Sequence, residues 1–368
     1  MKSHPLRDPV CNLASIILLF VLLYIAEEYL DLYNKRILNL VAINTILALS
    51  LNLIYGFTGM FSLGHAGFMA VGAYVCTLLI LTPGQKKSMW MLEPIQPWLE
   101  QLSFPLQLSN LFGGANNPAL HEFAVQLGFF GAVLLGGLAA AIFGLFIALP
   151  VLRLGGDYLG IATLGFAEII RVLITNLTPI TNGALGIKGI PNHATLWWNF
   201  GWLVFTLYFI IALMRSNVGN VFKAVRDDEI AAKTMGVNSF FYRVLAFTIG
   251  AFFAGVGGAL MAALLSTIDP KMYVMMLTFN VLMMVVAGGL GSITGSIIGS
   301  IVITVMLEWL RIVESPLNIF GFTLNGIPGM RMVIFSVLLL LIILFRREGL
   351  MGTREFSWDF VFRTGRKP

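Results

Sequence analysis

The sequence predicts an all-α integral membrane protein of about ten transmembrane helices, some of them broken or re-entrant, in a single domain over residues 1–368. Three observations carry that expectation. Hydrophobic residues make up 58% of the 368 and charged residues only 11%, where soluble domains hold roughly 45–50% and about 25%. So few ionisable groups cannot hydrate a folded exterior. The apolar residues also gather into recurring windows that suit bilayer crossings of about 20 residues each. Finally, two stretches carry glycine and hydroxyl residues at a density that suits close packing or a cavity wall rather than lipid, where exposed backbone polar groups have no partner.

In order, the windows lie at 13–30, 37–55, 60–81, 124–150, 157–177, 200–215, 241–266, 272–290, 291–312 and 330–346. The first contains an apolar run from Leu13 to Ile25 behind Lys2 and Arg7, as in a signal peptide. No small-x-small cleavage site follows, and Ala26 leads straight into Glu27 and Glu28, so it reads as a retained span. An even number of crossings puts both termini on one side. Placing them inside assigns 14 of the 23 Lys and Arg to the cytoplasm and 8 to the exterior, with Arg171 left inside a span. That bias is the one that orients membrane proteins. The net charge of +5 therefore bears on topology and does not point to nucleic acid. Cys11 and Cys76 are too few and too far apart for a disulfide framework or a thiolate metal site.

Two hydrophilic stretches interrupt the pattern. Residues 82–122 hold Pro83, Pro94, Pro97, Pro105 and Pro118 with Trp90 and Trp98, the composition of a periplasmic loop lying along the membrane surface. Residues 215–243 hold five Lys/Arg and three acids in a segment long enough for a helix and too short for a domain; with residues 347–368, the predicted tail, they fall on the cytoplasmic side.

Four constellations could carry function. In GFTGMFSLGHAGFMAVGAY, residues 56–74, Gly56, Gly59, Gly64, Gly67 and Gly72 surround Ser62 and His65. This suits either close helix packing or a broken helix lining a path, with His65 a packing histidine or a relay. In AGGLGSITGSIIGS, residues 287–300, Gly288 and Gly289 precede Gly291, Gly295 and Gly299, whose spacing of four predicts one small-residue helix face. A phosphate loop would end in Gly-Lys-Ser/Thr, and no Lys lies between Lys271 and Lys367, so this run does not bind ATP. Glu168 and Arg171 are three apart inside a span and can neutralise each other, as an anchor or as a polar pathway lining. In AVRDDEIAAKTMGVN, Arg226, Asp227, Asp228 and Glu229 open a helical stretch, Lys233 sits nearer its end, and Gly236 can end it in the left-handed conformation. Ile230, Ala231, Thr234 and Met235 are left to face a partner or headgroups.

These segments resemble a known family. Glu229 ahead of Ala231-Ala232, then three residues and Gly236, is similar to the EAA-type loop through which ABC importer permeases dock on their ATPases; Ile230, inserted between acid and alanines, departs from the general pattern. That variant, with SLGHAGFMAVGAY, LMMVVAGGLGSITGSIIG and GMRMVIFSVLLLLIILFRREGLMG, resembles the branched-chain amino acid ABC permeases, and the length with FRREGL looks most like the LivM-type subunit. The resemblance implies an ABC importer permease fold in the bacterial inner membrane. It implies a homologous LivH-type permease, two cytoplasmic ATPases that hold the ATP and Mg, and a periplasmic amino acid-binding protein as partners, with no cofactor on this chain and no enzymatic chemistry. It also implies Arg226, Asp227, Asp228, Glu229, Ala231, Ala232 and Gly236 as the ATPase-coupling residues, on a helix over 217–238. Urea or short-chain amide permeases are built on similar blocks. An ion-coupled carrier would need an unpartnered intramembrane acid, yet Glu168 has Arg171 beside it. A membrane enzyme would need converging ionisable groups, yet His4, His65, His121 and His193 are scattered.

Overall fold

The computed structural model describes residues 7–90, 94–112, 117–154, 158–314, 317–319, 322–324, 329–346, 348–352 and 355. Helices dominate them. The first are α1 (Arg7–Tyr29), α2 (Leu32–Asn52), α3 (His65–Ile80), α4 (Pro83–Met89), α5 (Pro97–Glu100), α6 (Phe104–Leu111), α7 (Pro118–Val151), α8 (Tyr158–Asn176) and α9 (Thr178–Thr181). There follow α10 (Leu196–Arg215), α11 (Asn217–Asp227), α12 (Glu229–Thr234), α13 (Ser239–Leu265), α14 (Met275–Gly288), α15 (Ile293–Trp309), α16 (Arg311–Glu314) and α17 (Met330–Phe345). Two short antiparallel pairs join loops, Ile187–Lys188 with Thr267–Ile268 and Leu317–Ile319 with Phe322–Leu324.

Among the described residues six helices are long and apolar enough to cross a membrane, or seven if α3 and α4, bent by 119°, count as one span. The ninth predicted window is the 17-residue α15, and the last is the 16-residue α17. The described residues of 82–122 form the short helices α4, α5 and α6 and the start of α7. Lys86 links α4 to α5: fully buried, its ammonium donates to the carbonyls of Leu99 at 2.7 Å and Leu102 at 2.5 Å.

The core is three helices brought to backbone contact by small residues. A methyl on Gly72 of α3 would stand 2.2 Å from the Gly255 carbonyl of α13, and one on Gly136 of α7 2.7 Å from the Gly72 carbonyl. A methyl on Gly258 would lie 2.1 Å from the Met69 carbonyl. In lipid such close approach replaces the hydrophobic effect as the source of helix association, because dispersion and weak polar contacts grow as backbones near. Side-chain hydrogen bonds tie α2 to its neighbours: Asn44 donates to Thr304 at 2.9 Å, Thr45 pairs with Ser300 at 2.7 Å, and Asn199 donates to Asn39 at 2.8 Å. The outer faces of α1, α7, α8, α10 and α17 expose large apolar side chains such as Leu18, Phe146, Ile161, Tyr208 and Phe345, as a lipid-facing surface requires.

Candidate coupling site and translocation face

The 60–81 window is helical only from His65. After α2 the chain makes a π-turn over Leu53–Phe57 and then runs without helix over 58–64 before α3 starts. Backbone groups freed by the break find partners on other helices. Leu63 N–H donates to the Thr163 hydroxyl on α8 at 3.0 Å, and Ala66 N–H to the Thr278 hydroxyl on α14 at 3.0 Å. The Ser62 hydroxyl accepts from Gly64 N–H at 3.4 Å. Gly64 and Gly67 let α8 approach: added methyls would stand 2.8 Å from the Thr163 carbonyl and 3.0 Å from the Ala167 Cα. His65 is fully buried, with Nε2 2.8 Å from the Ser50 hydroxyl.

The 217–238 stretch is two helices, not the single one expected. Asp227 ends α11, and Asp228 turns extended and caps α12, its carboxylate accepting from Ile230 N–H at 2.9 Å and Ala231 N–H at 3.0 Å. A carboxylate beside the first free N–H groups also suits the helix dipole, and the three acids therefore straddle a break instead of opening one helix. Gly236, with φ of +83°, ends α12 in the region where a side chain would be strained. Glu229 docks the unit on α13: it accepts from Ser239 at 3.0 Å, pairs with Lys233 at 2.9 Å and takes the Arg243 guanidinium at 2.6 Å. Burial opposes its ionisation, but those hydrogen bonds and the two cations outweigh it and hold the carboxyl below its ordinary 4.5. Ala232 packs inward, while Ala231 is exposed and Ile230 and Met235 stand 76% and 83% exposed. The tip thus presents apolar side chains outward on a charged base.

The glycine run of 287–300 meets this unit. Its spacing of four does not mark one helix face throughout, because Gly291 lies in the turn between α14 and α15 with φ of +78°. Only Gly295 and Gly299 lie on α15, where a methyl on Gly295 would sit 2.6 Å from the Gly288 carbonyl. Arg226 reaches across from α11: its Nη1 donates to the Gly56 carbonyl at 3.1 Å, and its other nitrogens hold Asp227 at 2.8 and 2.9 Å. Asn52, fully buried, clamps the same turn, accepting from Gly291 N–H at 2.9 Å and donating to the Ser292 carbonyl at 2.9 Å. The predicted tail over 347–368 lies largely outside the described residues, but 348–352 and 355 dock here. Leu350 and Met351 donate to the carbonyls of Ala287 and Gly288 at 2.8 and 3.1 Å, and Gly289 packs on Gly352. Glu355 caps α15, accepting from the N–H groups of Ile293 at 2.6 Å and Thr294 at 3.0 Å. Three of the four sequence constellations therefore meet at one junction.

The fourth, Glu168 with Arg171, stands on α8, which carries the broken segment through Thr163. Arg171 Nε donates to Glu168 Oε2 at 2.7 Å, with side chains 30% and 41% exposed respectively. Between the break, the end of α7 and the starts of α8 and α13 opens a cavity of about 450 Å3, lined by Tyr55, Met60, Phe61, Leu152, Leu159 and Arg243.

Asn52, Thr163 and Thr278 are single polar residues in apolar windows, with no local partner to mark them; Arg243 counts in the sequence only as one of five cations of 215–243, and Glu355 lies in the tail beside Arg354. Only for Asn52 was there a signal, an amide four residues before the first glycine of the broken stretch.

The family model for the branched-chain amino acid transport system permease component matches residues 34–344. The chain belongs to that permease family. The permease is 32% identical to the high-affinity branched-chain amino acid transport system permease protein LivM of Escherichia coli K12 over 309 residues, covering 75% of this chain and 63% of that one. It is 26% identical over 330 residues to a probable LivM permease of Methanocaldococcus jannaschii, covering 83% and 89%. It is also 23% identical over 281 residues to the LivH permease of Salmonella typhimurium, covering 71% and 79%. It spans 63% and 61% of the E. coli and S. typhimurium LivM chains. No solved structure matches it.

Proposed function

We propose that this chain is the LivM-type permease subunit of an ATP-driven importer that carries leucine, isoleucine or valine across the bacterial inner membrane. It crosses the bilayer about ten times with both termini in the cytoplasm. It pairs with a LivH-type permease, and two cytoplasmic ATPases and a periplasmic binding protein complete the machine. ATP and Mg stay with the ATPases; this chain performs no chemistry. The observation that carries the reading is the junction in which Arg226 ties the end of α11 to the broken helix at Gly56, and Asn52 ties the α14–α15 turn to the same place through Gly291.

Ile230 and Met235 enter a groove of the ATPase, and Glu229 with Arg243 makes α12 and the start of α13 move as one body. ATP-driven closure pushes that body; Arg226 and Asn52 pass the push to the π-turn, and Thr163 and Thr278 pass it to α8 and α14. Because packed interfaces have discrete arrangements, the displacement selects between outward-open and inward-open cavities instead of dissipating as small strains.

The experiment is Glu229→Ala with Gly236→Pro in the complete complex reconstituted in proteoliposomes. Loss of leucine uptake and of binding-protein-stimulated ATPase is expected; survival of both ends the coupling assignment. Ligand binding to the partner binding protein separates aliphatic amino acids from urea or amides.

A further inference from the structure

Glu168 is the eleventh of the 19 residues of α8, about 15 Å along the axis from one end and about 12 Å from the other. An ion pair at that depth would be costly if lipid covered it. Yet the pair is not sealed among this chain's helices, since Arg171 is 30% and Glu168 41% exposed. Arg171 uses only Nε, so its two terminal nitrogens have no partner among the described residues, and neither has Glu168 Oε1. Two donor nitrogens and one carboxylate oxygen are therefore left for a further partner. One helical turn to either side of Glu168 lie Leu164 and the exposed Val172.

We propose that Glu168 and Arg171 form a site on the translocation face that reads both charges of a zwitterionic amino acid. Arg171 takes the α-carboxylate through its planar fork and Glu168 takes the α-ammonium. Leu164 and Val172 give the aliphatic side chain an apolar bed. The ligand's two charges meet the groups left over by the Nε–Oε2 pair, so no charge stands unpartnered in the low-dielectric path. A neutral amide brings no opposite charges to these groups and gains less from them. The site also rides on the coupled machinery, because Thr163, which holds the broken segment through Leu63, lies on the same helix five residues before Glu168.

This inference rests on the branched-chain amino acid reading above. The test is leucine uptake by the complete transporter in proteoliposomes, with co-purification of all subunits followed in parallel. Two variants are compared: the neutral pair E168Q/R171Q, and the reversed pair E168R/R171E, which keeps an ion pair but inverts its polarity. Both should assemble and lose uptake by about tenfold or more, the effect of losing one hydrogen bond to a charged group. Wild-type uptake by either variant overturns the proposal, as does a neutral pair that fails to assemble, which would mark the residues as a staple of the fold. A wild-type complex that carries no aliphatic amino acid ends the functional reading itself, and this site with it.

Discussion

Arg226 donates its Nη1 proton to the carbonyl of Gly56, 3.1 Å away and 170 residues earlier in the chain. The acceptor is a backbone group of a π-turn, and the donor is anchored to the next residue, Asp227. The link therefore joins the end of α11 to the π-turn that follows α2, at the point where the broken helix begins. Arg226→Ala should leave the fold intact, since the side chain is partly exposed and ion pairs of that kind stabilise little. Uptake per ATP hydrolysed should fall by about tenfold, the worth of a charged hydrogen bond. Parallel uptake and ATPase measurements in proteoliposomes check it; an unchanged ratio denies Arg226 a part in coupling.

Asn52 satisfies two backbone groups of the α14–α15 turn from a fully buried position. Asn52→Ala leaves Gly291 N–H without this partner, at about 1–3 kcal/mol, whereas the Ser292 carbonyl keeps the Ser296 N–H and hydroxyl as donors. The thermal midpoint of the detergent-purified permease should drop clearly, while Asn52→Asp, which keeps the acceptor for Gly291, should drop less.

Gly72 and Gly84 make a matched pair. A methyl on Gly72 would stand 2.2 Å from the Gly255 carbonyl, whereas a methyl on Gly84 meets nothing within 4 Å. Gly72→Ala should cost about 1–3 kcal/mol or more by overpacking and reduce folded yield. Gly84→Ala, in the helix of Pro83–Met89, should be neutral or stabilising by about 0.5–1 kcal/mol. Size-exclusion recovery after graded heating reads both.

Glu229 sets a pH limit on the docking of α12. Its carboxyl is held below 4.5 in the folded state, so its contribution to docking α12 is complete above the ordinary carboxylate range and fades as pH falls through the depressed value. Amide exchange protection over residues 229–239 should hold from pH 7 to about pH 5 and fall below it. Glu229→Gln should lower that protection at pH 7 and flatten its pH dependence; an unaltered profile would remove Glu229 from the docking role.

Glu355 caps α15 from outside the bundle, with its carboxylate on the N–H groups of Ile293 and Thr294. Glu355→Ala should weaken the start of α15 by about 1 kcal/mol, the usual worth of such a cap. Faster exchange at residues 293–296, with the rest of α15 unaffected, is the expected reading.

The family blocks were legible as residue strings, but their meeting was not. The regular face inferred from Gly291, Gly295 and Gly299 fails at Gly291 because that residue must turn between two helices and admit Arg226 and Asn52. Periodicity in sequence cannot register a partner 239 residues away. The single helix inferred over 217–238 fails at Asp228 for a local reason. An aspartate offers its carboxylate to the following N–H groups in an extended conformation, and nothing in composition distinguishes that cap from one more acid in a first turn. The break before His65 was readable as glycine enrichment, whereas the partners that make it affordable, Thr163 and Thr278, look like ordinary residues of apolar helices.

Composition alone decided that lipid is the solvent, that helices must span it and where most of them lie, because the transfer of apolar side chains is additive and local. The tertiary structure alone decided where helices stop and which segments touch. A broken span keeps its backbone groups satisfied only through partners from distant parts of the chain, and those partners are chosen by packing, not by sequence neighbourhood.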